Sequence, residues 1–138
     1  MSQPIRLLVI SSGLETGGAE AMLVKLMERF DRSVISAAVI SLRGEGTHGR
    51  YLREIGIRVE CLNLSGLWRL LSATTKLRAL VREFQPNVIQ GWMYHGNVVA
   101  RLAGCFARDA AVVWSVRHSL HSLEAERWFM RALIRLSV

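Results

Sequence analysis

A chain of 138 residues with 51% hydrophobic content is long enough to bury one domain-sized core. Its 18 Lys and Arg against 11 Asp and Glu give a net charge of +7, which suits polyanions such as nucleic acid, anionic lipid headgroups or phosphorylated substrates. The cations are mostly arginine and are spread along the chain, which excludes a basic tail. Two distant cysteines, Cys61 and Cys105, exclude a disulfide or metal framework and fit a reducing compartment. With no leader pattern and no apolar run of membrane-spanning length, the expected location is cytoplasmic.

Strand-like and helix-like segments alternate. Leu7 to Ile10 is an apolar run, and a helical pattern follows from Ala19 to Phe30, with Met22, Leu23, Leu26, Met27 and Phe30 on one stripe. Val34 to Ser41 reads as a second strand, ended by the polar loop 43–49. A short helix from about Arg50 to Ile55 stops at Gly56, which fits a C-cap. Arg58 to Leu62 is a third strand, and a helix from about Trp68 to Phe84 ends before Pro86. Asn87 to Gly91 is a fourth strand, Tyr94 to Phe106 a helix, Ala110 to Val116 a fifth strand, and a helical pattern resumes near Leu123. Such βα alternation calls for a parallel sheet with helices on both faces, and right-handed crossovers make a doubly wound, Rossmann-like α/β fold the simplest topology. The chain stops inside a helical pattern without a cap, so a truncated single domain over 1–138 is expected.

Three loops follow strands and so share the rim where such sheets bind ligands. After the first strand come Gly13, Gly17 and Gly18. These glycines fit either a tight strand-to-helix turn or an anion cradle at a helix N-terminus, and they spell neither G-x-G-x-x-G nor a P-loop. After the fourth strand, Trp92, Tyr94, His95 and Asn97 suit carbohydrate, which stacks on rings and bonds to polar edges. Alternatively, the Trp packs in the core and the His caps its own helix. After the fifth strand, Arg117, His118 and Ser119 suit phosphate or sugar hydroxyls.

Gly17-Gly-Ala-Glu20, Trp92-Met-Tyr-His-Gly-Asn97 and Val113-Trp-Ser-Val-Arg-His-Ser119, in that order, resemble the N-terminal half of a family-4 glycosyltransferase of GT-B architecture, in which two Rossmann-like domains face each other across a cleft. The resemblance covers essentially the whole chain. It implies retaining transfer of a sugar from a nucleotide-diphosphate donor to a glycan or lipid-linked acceptor, without a metal or other cofactor, in cell-surface polysaccharide synthesis. The donor is expected to be held mainly by a C-terminal domain carrying a Glu-x7-Glu motif. Glu20 and Glu28 have that spacing here, but they lie on the first helix without the preceding glycine-rich loop and are read as coincidence. This chain alone is therefore expected to be weakly active or inactive.

By the same resemblance, Gly17 and Gly18 approach the donor phosphates or the acceptor, and Trp92, His95 and Asn97 line the acceptor side. Arg117 is the first choice for the catalytic phosphate or hydroxyl contact, with His118 the alternative and Ser119 beside them. Glu20 serves the N-terminus of its helix.

Two other readings stand beside this one. A non-catalytic sugar-phosphate or nucleotide binding module would use the same rim. The helix from Trp68 to Phe84, with Leu67, Leu70, Leu71, Leu77, Leu80, Val81 and Phe84 flanked by Arg69, Lys76, Arg78 and Arg82, fits a sheet-covering helix and also a basic amphipathic helix on an anionic membrane surface. Trp68, at its start, is the residue that would favour lipid. A nucleic-acid partner is not expected, because no recognition helix or aromatic-interleaved basic strand is present.

Overall fold

The computed structural model describes residues 3–65 and 68–115. Along the chain they form β1 (Ile5–Ser11), α1 (Gly18–Arg29), β2 (Ile35–Ser41), α2 (Gly46–Glu54), β3 (Arg58–Cys61), α3 (Trp68–Phe84), β4 (Val88–Trp92), α4 (Met93–Gly104) and β5 (Ala111–Ser115). The strands make one five-stranded sheet in the order β3-β2-β1-β4-β5, and every pairing is parallel. This is the doubly wound Rossmann-like fold expected from the sequence. The helical pattern near Leu123, along with Arg117, His118 and Ser119, lies outside the described residues.

Alternation along β1 divides the core. Leu7 and Val9 point to one face, where they pack with Leu23, Val24 and Met27 of α1 and Leu52 of α2. Leu8 and Ile10 point to the other, where they meet Ala73, Leu77 and Val81 of α3 and Ala100 and Ala103 of α4. A strand buried on both faces reads as an unbroken apolar run, which is why β1 stands out so clearly in the sequence.

The helices depart from the sequence reading in three places. On α1 the buried stripe runs through Leu23, Val24 and Met27, while Met22 is exposed. The stripe is thus turned by about one residue, toward the sheet rather than toward the most hydrophobic edge. Helix α2 starts at Gly46, four residues before Arg50, because tertiary contact overrides the poor propensity of two glycines. The His48 N–H donates to the Leu14 carbonyl at 3.0 Å, and Gly46 has φ +60 with that same carbonyl against its Cα. On α3, Ala73, Leu77 and Val81 are buried, whereas Leu70 and Leu71 stand 55% and 78% exposed. Gly56, at φ +85, ends α2 as a C-cap should, its N–H donating to the Arg53 carbonyl at 2.9 Å.

Helix α4 lies so close to the sheet that it tolerates no side chain at Gly96. A Cβ there would fall 2.3 Å from the Ile10 carbonyl oxygen, a backbone atom that cannot turn aside. Gly96→Ala is therefore expected to lower unfolding free energy by about 1–3 kcal/mol, read as a fall in the urea midpoint. Gly18→Ala, where a Cβ meets nothing within 4 Å, is expected to leave stability within about 0.5 kcal/mol of the parent or to raise it.

Candidate functional site

The strand order turns back between β1 and β4, and the loops leaving their carboxyl ends part to opposite faces of the sheet. Ligands of open α/β sheets bind at such a switch point. The β1–α1 loop is held in shape there. The Ser11 hydroxyl donates to the Gly13 carbonyl at 2.8 Å, the Leu42 N–H donates to the Ser11 carbonyl at 2.9 Å, and Leu14 is fully buried beneath α2. On its neighbour the Ser41 hydroxyl donates to the Gly44 carbonyl at 2.7 Å, which fixes the start of the β2–α2 loop. Strand β4 enters α4 with no intervening residue, and Met93 takes φ +66 to make the turn. That conformation is strained for a residue with a Cβ, and such strain recurs at binding sites.

Polar groups left without partners gather at this end of the molecule. Among the described residues, the buried side-chain atoms without a hydrogen-bond partner are Ser12 Oγ after β1, His48 Nε2 early in α2, Tyr94 Oη and both amide atoms of Asn97 early in α4, and Trp114 Nε1 near the end of β5. Each such group costs free energy when left unsatisfied. Their concentration at one rim sets it apart from the rest of the described surface.

The structure separates the residues singled out in the sequence. His95 sits half-buried in the first turn of α4, where loss of water and, secondarily, the Arg43 charge hold its pKa below the usual imidazole value. At neutral pH it is therefore an uncharged hydrogen-bonding group. Trp92 does not line the rim. It is fully buried, and its indole N–H donates to the Ala19 carbonyl at 3.0 Å, pinning α1 to the end of β4. Asn97 is likewise fully buried, its side-chain oxygen pressed against Gly91, where a Cβ would come within 2.4 Å. Gly17 is the N-cap of α1 in an extended conformation. The Glu20 carboxylate folds over it, 2.2 Å from where a Cβ would lie, while Gly18 is open. The α1 N-terminus thus already holds negative charge.

Arg43 was read in the sequence only as part of a polar loop. In the fold its side chain lies along Gly13, with Cδ at 3.7 Å from the position a Gly13 Cβ would occupy, and its charge reaches His95. The available sequence signal was its place directly after a strand, the same criterion that picked out the other loops.

A separate cleft of about 490 Å³, lined by Arg6, Arg82, Gln85, Phe106 and Arg108 among others, opens at the amino ends of β1, β4 and β5. It lies at the opposite end of the sheet from the switch point and holds none of the unpartnered groups. No set of three or more His, Cys, Asp or Glu among the described residues is placed to hold a metal ion. Cys61 and Cys105 are both free.

Because burial and Arg43 depress the His95 pKa, the unfolded chain takes up a proton there before the folded one does. Stability from this group is complete above the unfolded value near 6.5 and falls as pH drops through the folded value. Urea midpoints between pH 7.5 and 5 should therefore fall less in His95→Gln than in the parent. An equal fall in both would show that His95 is not the group responsible.

Residues 17–138 match the family model described as glycosyl transferase 4-like domain. The fold is similar to that of HepE from Anabaena in complex with UDP, with TM-score 0.74 at 21% identity, covering 97% of this chain and 34% of that one. The HepE complex with UDP-glucose gives 0.74 at 22% identity over the same shares. MurG from Acinetobacter baumannii gives 0.52 at 14% identity, covering 93% of this chain and 48% of that one. No curated protein matches the sequence. The chain spans about a third of the length of HepE, and at these identities the likeness establishes the fold, the Rossmann-like α/β sheet found in GT-B glycosyltransferases. With the family model covering most of its residues, the chain belongs to the glycosyl transferase 4-like domain family.

Proposed function

We propose that this chain is the acceptor-side, N-terminal half of a retaining hexosyltransferase. In this reading the enzyme moves a sugar from a nucleotide-diphosphate donor to a glycan or lipid-linked acceptor in cell-surface polysaccharide synthesis, with the donor held mainly by a second Rossmann-like domain. The observation that carries it is the crowding of unpartnered polar groups, with a neutral His95, at the β1–β4 switch point. A rim carrying an imidazole and a guanidinium, with unsatisfied polar atoms packed beneath it, fits a sugar with its many hydroxyls and a diphosphate beside it. The similarity to structures of HepE with UDP and with UDP-glucose supports a uridine diphosphate donor.

The main chemical demand of such a transfer is to stabilise the departing diphosphate, and preorganised donors around the leaving group meet it electrostatically. Arg117, with His118 as the alternative, is assigned this role, and Ser119 follows them in sequence. His95, uncharged, orients an acceptor or donor hydroxyl rather than neutralising phosphate. Gly18, with open space where a Cβ would lie, leaves room for the acceptor to approach α1, whereas Trp92 and Asn97 support the rim from beneath.

In this reading the protein works in the cytoplasm, peripherally on the inner face of the membrane. No helix among the described residues is long and apolar enough to cross a bilayer. The exposed Leu70 and Leu71 on α3, beside the exposed Arg69 and Arg78, support contact with anionic lipid headgroups.

Two measurements test these statements. The protein, with whatever sequence continues beyond Val138, is assayed with a panel of nucleotide sugars and a lipid-linked acceptor. Arg117→Ala and His95→Ala should each lower kcat/KM by about 10–100-fold, as loss of a hydrogen bond to a charged or strongly polar group does. Full activity in both would remove them from the site. Co-sedimentation with vesicles should rise with the fraction of anionic lipid and drop in Leu70→Ser/Leu71→Ser. Binding indifferent to both would remove the membrane contact.

A further inference from the structure

We infer that Arg43, on the loop between β2 and α2, is a further phosphate-contacting residue of this half of the enzyme, holding an anionic oxygen at the mouth between Gly13 and His95. The inference rests on the glycosyltransferase reading of the rim and adds to it a residue on a loop that the family motifs in the sequence do not include.

Four observations converge on it. First, Arg43 is exposed, and its Cδ and Cβ lie 3.7 and 4.0 Å from where a Cβ of buried Gly13 would be, which sets the side chain beside the β1–α1 loop. Its base is fixed by the Ser41 hydroxyl bond to the Gly44 carbonyl. Second, the guanidinium has no hydrogen-bond or ion-pair partner among the described residues. The nearest carboxylate in sequence, Glu45, is taken by Arg53 at 2.7 Å, and the other ion pairs belong to Arg58. Third, the charge of Arg43 reaches the half-buried imidazole of His95 in the first turn of α4, so the side chain that lies along Gly13 is also near the helix on the other side of the switch point. A phosphate oxygen accepts from a guanidinium and from the N–H of a neutral imidazole alike, so one anion would engage both groups. Fourth, the neighbouring helix N-terminus is closed to it, because the Glu20 carboxylate lies over Gly17. An anion entering the rim is repelled there and drawn toward Arg43.

The same chemistry is carried by the diphosphate of a donor and by the phosphate of a lipid-linked acceptor, and the test separates them. UDP and inorganic pyrophosphate are titrated by calorimetry into the protein and into Arg43→Ala and Arg43→Lys, and His95 is followed by NMR as a function of pH with and without each anion. KM values are measured for nucleotide sugar and acceptor. Arg43→Ala should weaken pyrophosphate binding about tenfold or more, as loss of a charge-assisted bond does, and Arg43→Lys should restore part of it. Bound anion should move the His95 pKa upward, because it sets negative charge beside the imidazole. A raised KM for nucleotide sugar, with weaker UDP binding, places the phosphate in the donor; a raised KM confined to the acceptor places it there. Unchanged pyrophosphate affinity and unchanged KM values in Arg43→Ala overturn the inference. If the complete enzyme uses no nucleotide sugar but pyrophosphate affinity still falls in the variant, the transferase reading fails and the anion site stands.

Discussion

The close approach of α4 to the carboxyl ends of β1 and β4 is the constraint on which the site depends. Gly96 lets the helix backbone rest against the Ile10 carbonyl, and Gly91 lets Asn97 rest against β4. The turn that brings the helix there has no loop at all, so Met93 absorbs the whole change of direction at φ +66. Packing of Ala100 and Ala103 into the sheet core then holds the helix along its length. A helix with larger residues at Gly96 or Ala100 would stand farther off, and His95 and Tyr94 would leave the mouth of the switch point. Position of the chemistry is thus set by the absence of side chains one turn away.

The tightness of that arrangement comes at a cost in satisfied hydrogen bonds. The buried hydroxyls of Ser12 and Tyr94 and the amide of Asn97 find no partner, and His95 loses solvation. Elsewhere in the described residues polar groups are matched: Asn87 pairs with the Arg6 N–H at 2.8 Å, and Arg58 holds Glu83 at 2.9 and 3.2 Å. A sheet that solves its polar accounting everywhere but at one rim has local conflict where ligands bind such folds, which is the pattern expected when function opposes stability.

Much of the fold was legible because parallel strands buried on both faces are written as unbroken apolar runs, and β1 is the clearest of them. α3 was placed at both ends, since Pro86 fixes its stop. The parts that were not legible depend on contacts between distant residues. Nothing local to Gly46 announces a helix, whose first turn is made by the Leu14 carbonyl from another loop. At the rim, Trp92 and His95 look alike in sequence as polar-edged rings three positions apart. Strand alternation and the turn at Met93 send one into the core and leave the other at the mouth. In sequence Arg43 is a lone cation in a polar loop, ordinarily a solvated one, and its contact with Gly13 and its effect on His95 exist only in the fold.

Those contacts also bear on the basic composition. A net charge of +7 spread over the surface does not by itself favour any one anion, since each guanidinium in open water is screened within about 10 Å. What makes a cation select a ligand is restriction, either by a rigid base or by neighbours that lack partners of their own. Arg53 and Arg58 are restricted by carboxylates and so are already neutralised. Arg43 is restricted by backbone and by a glycine, which leaves its charge unspent. Among the described cations near the switch point, it is the one that lies against the β1–α1 loop with no carboxylate to neutralise it.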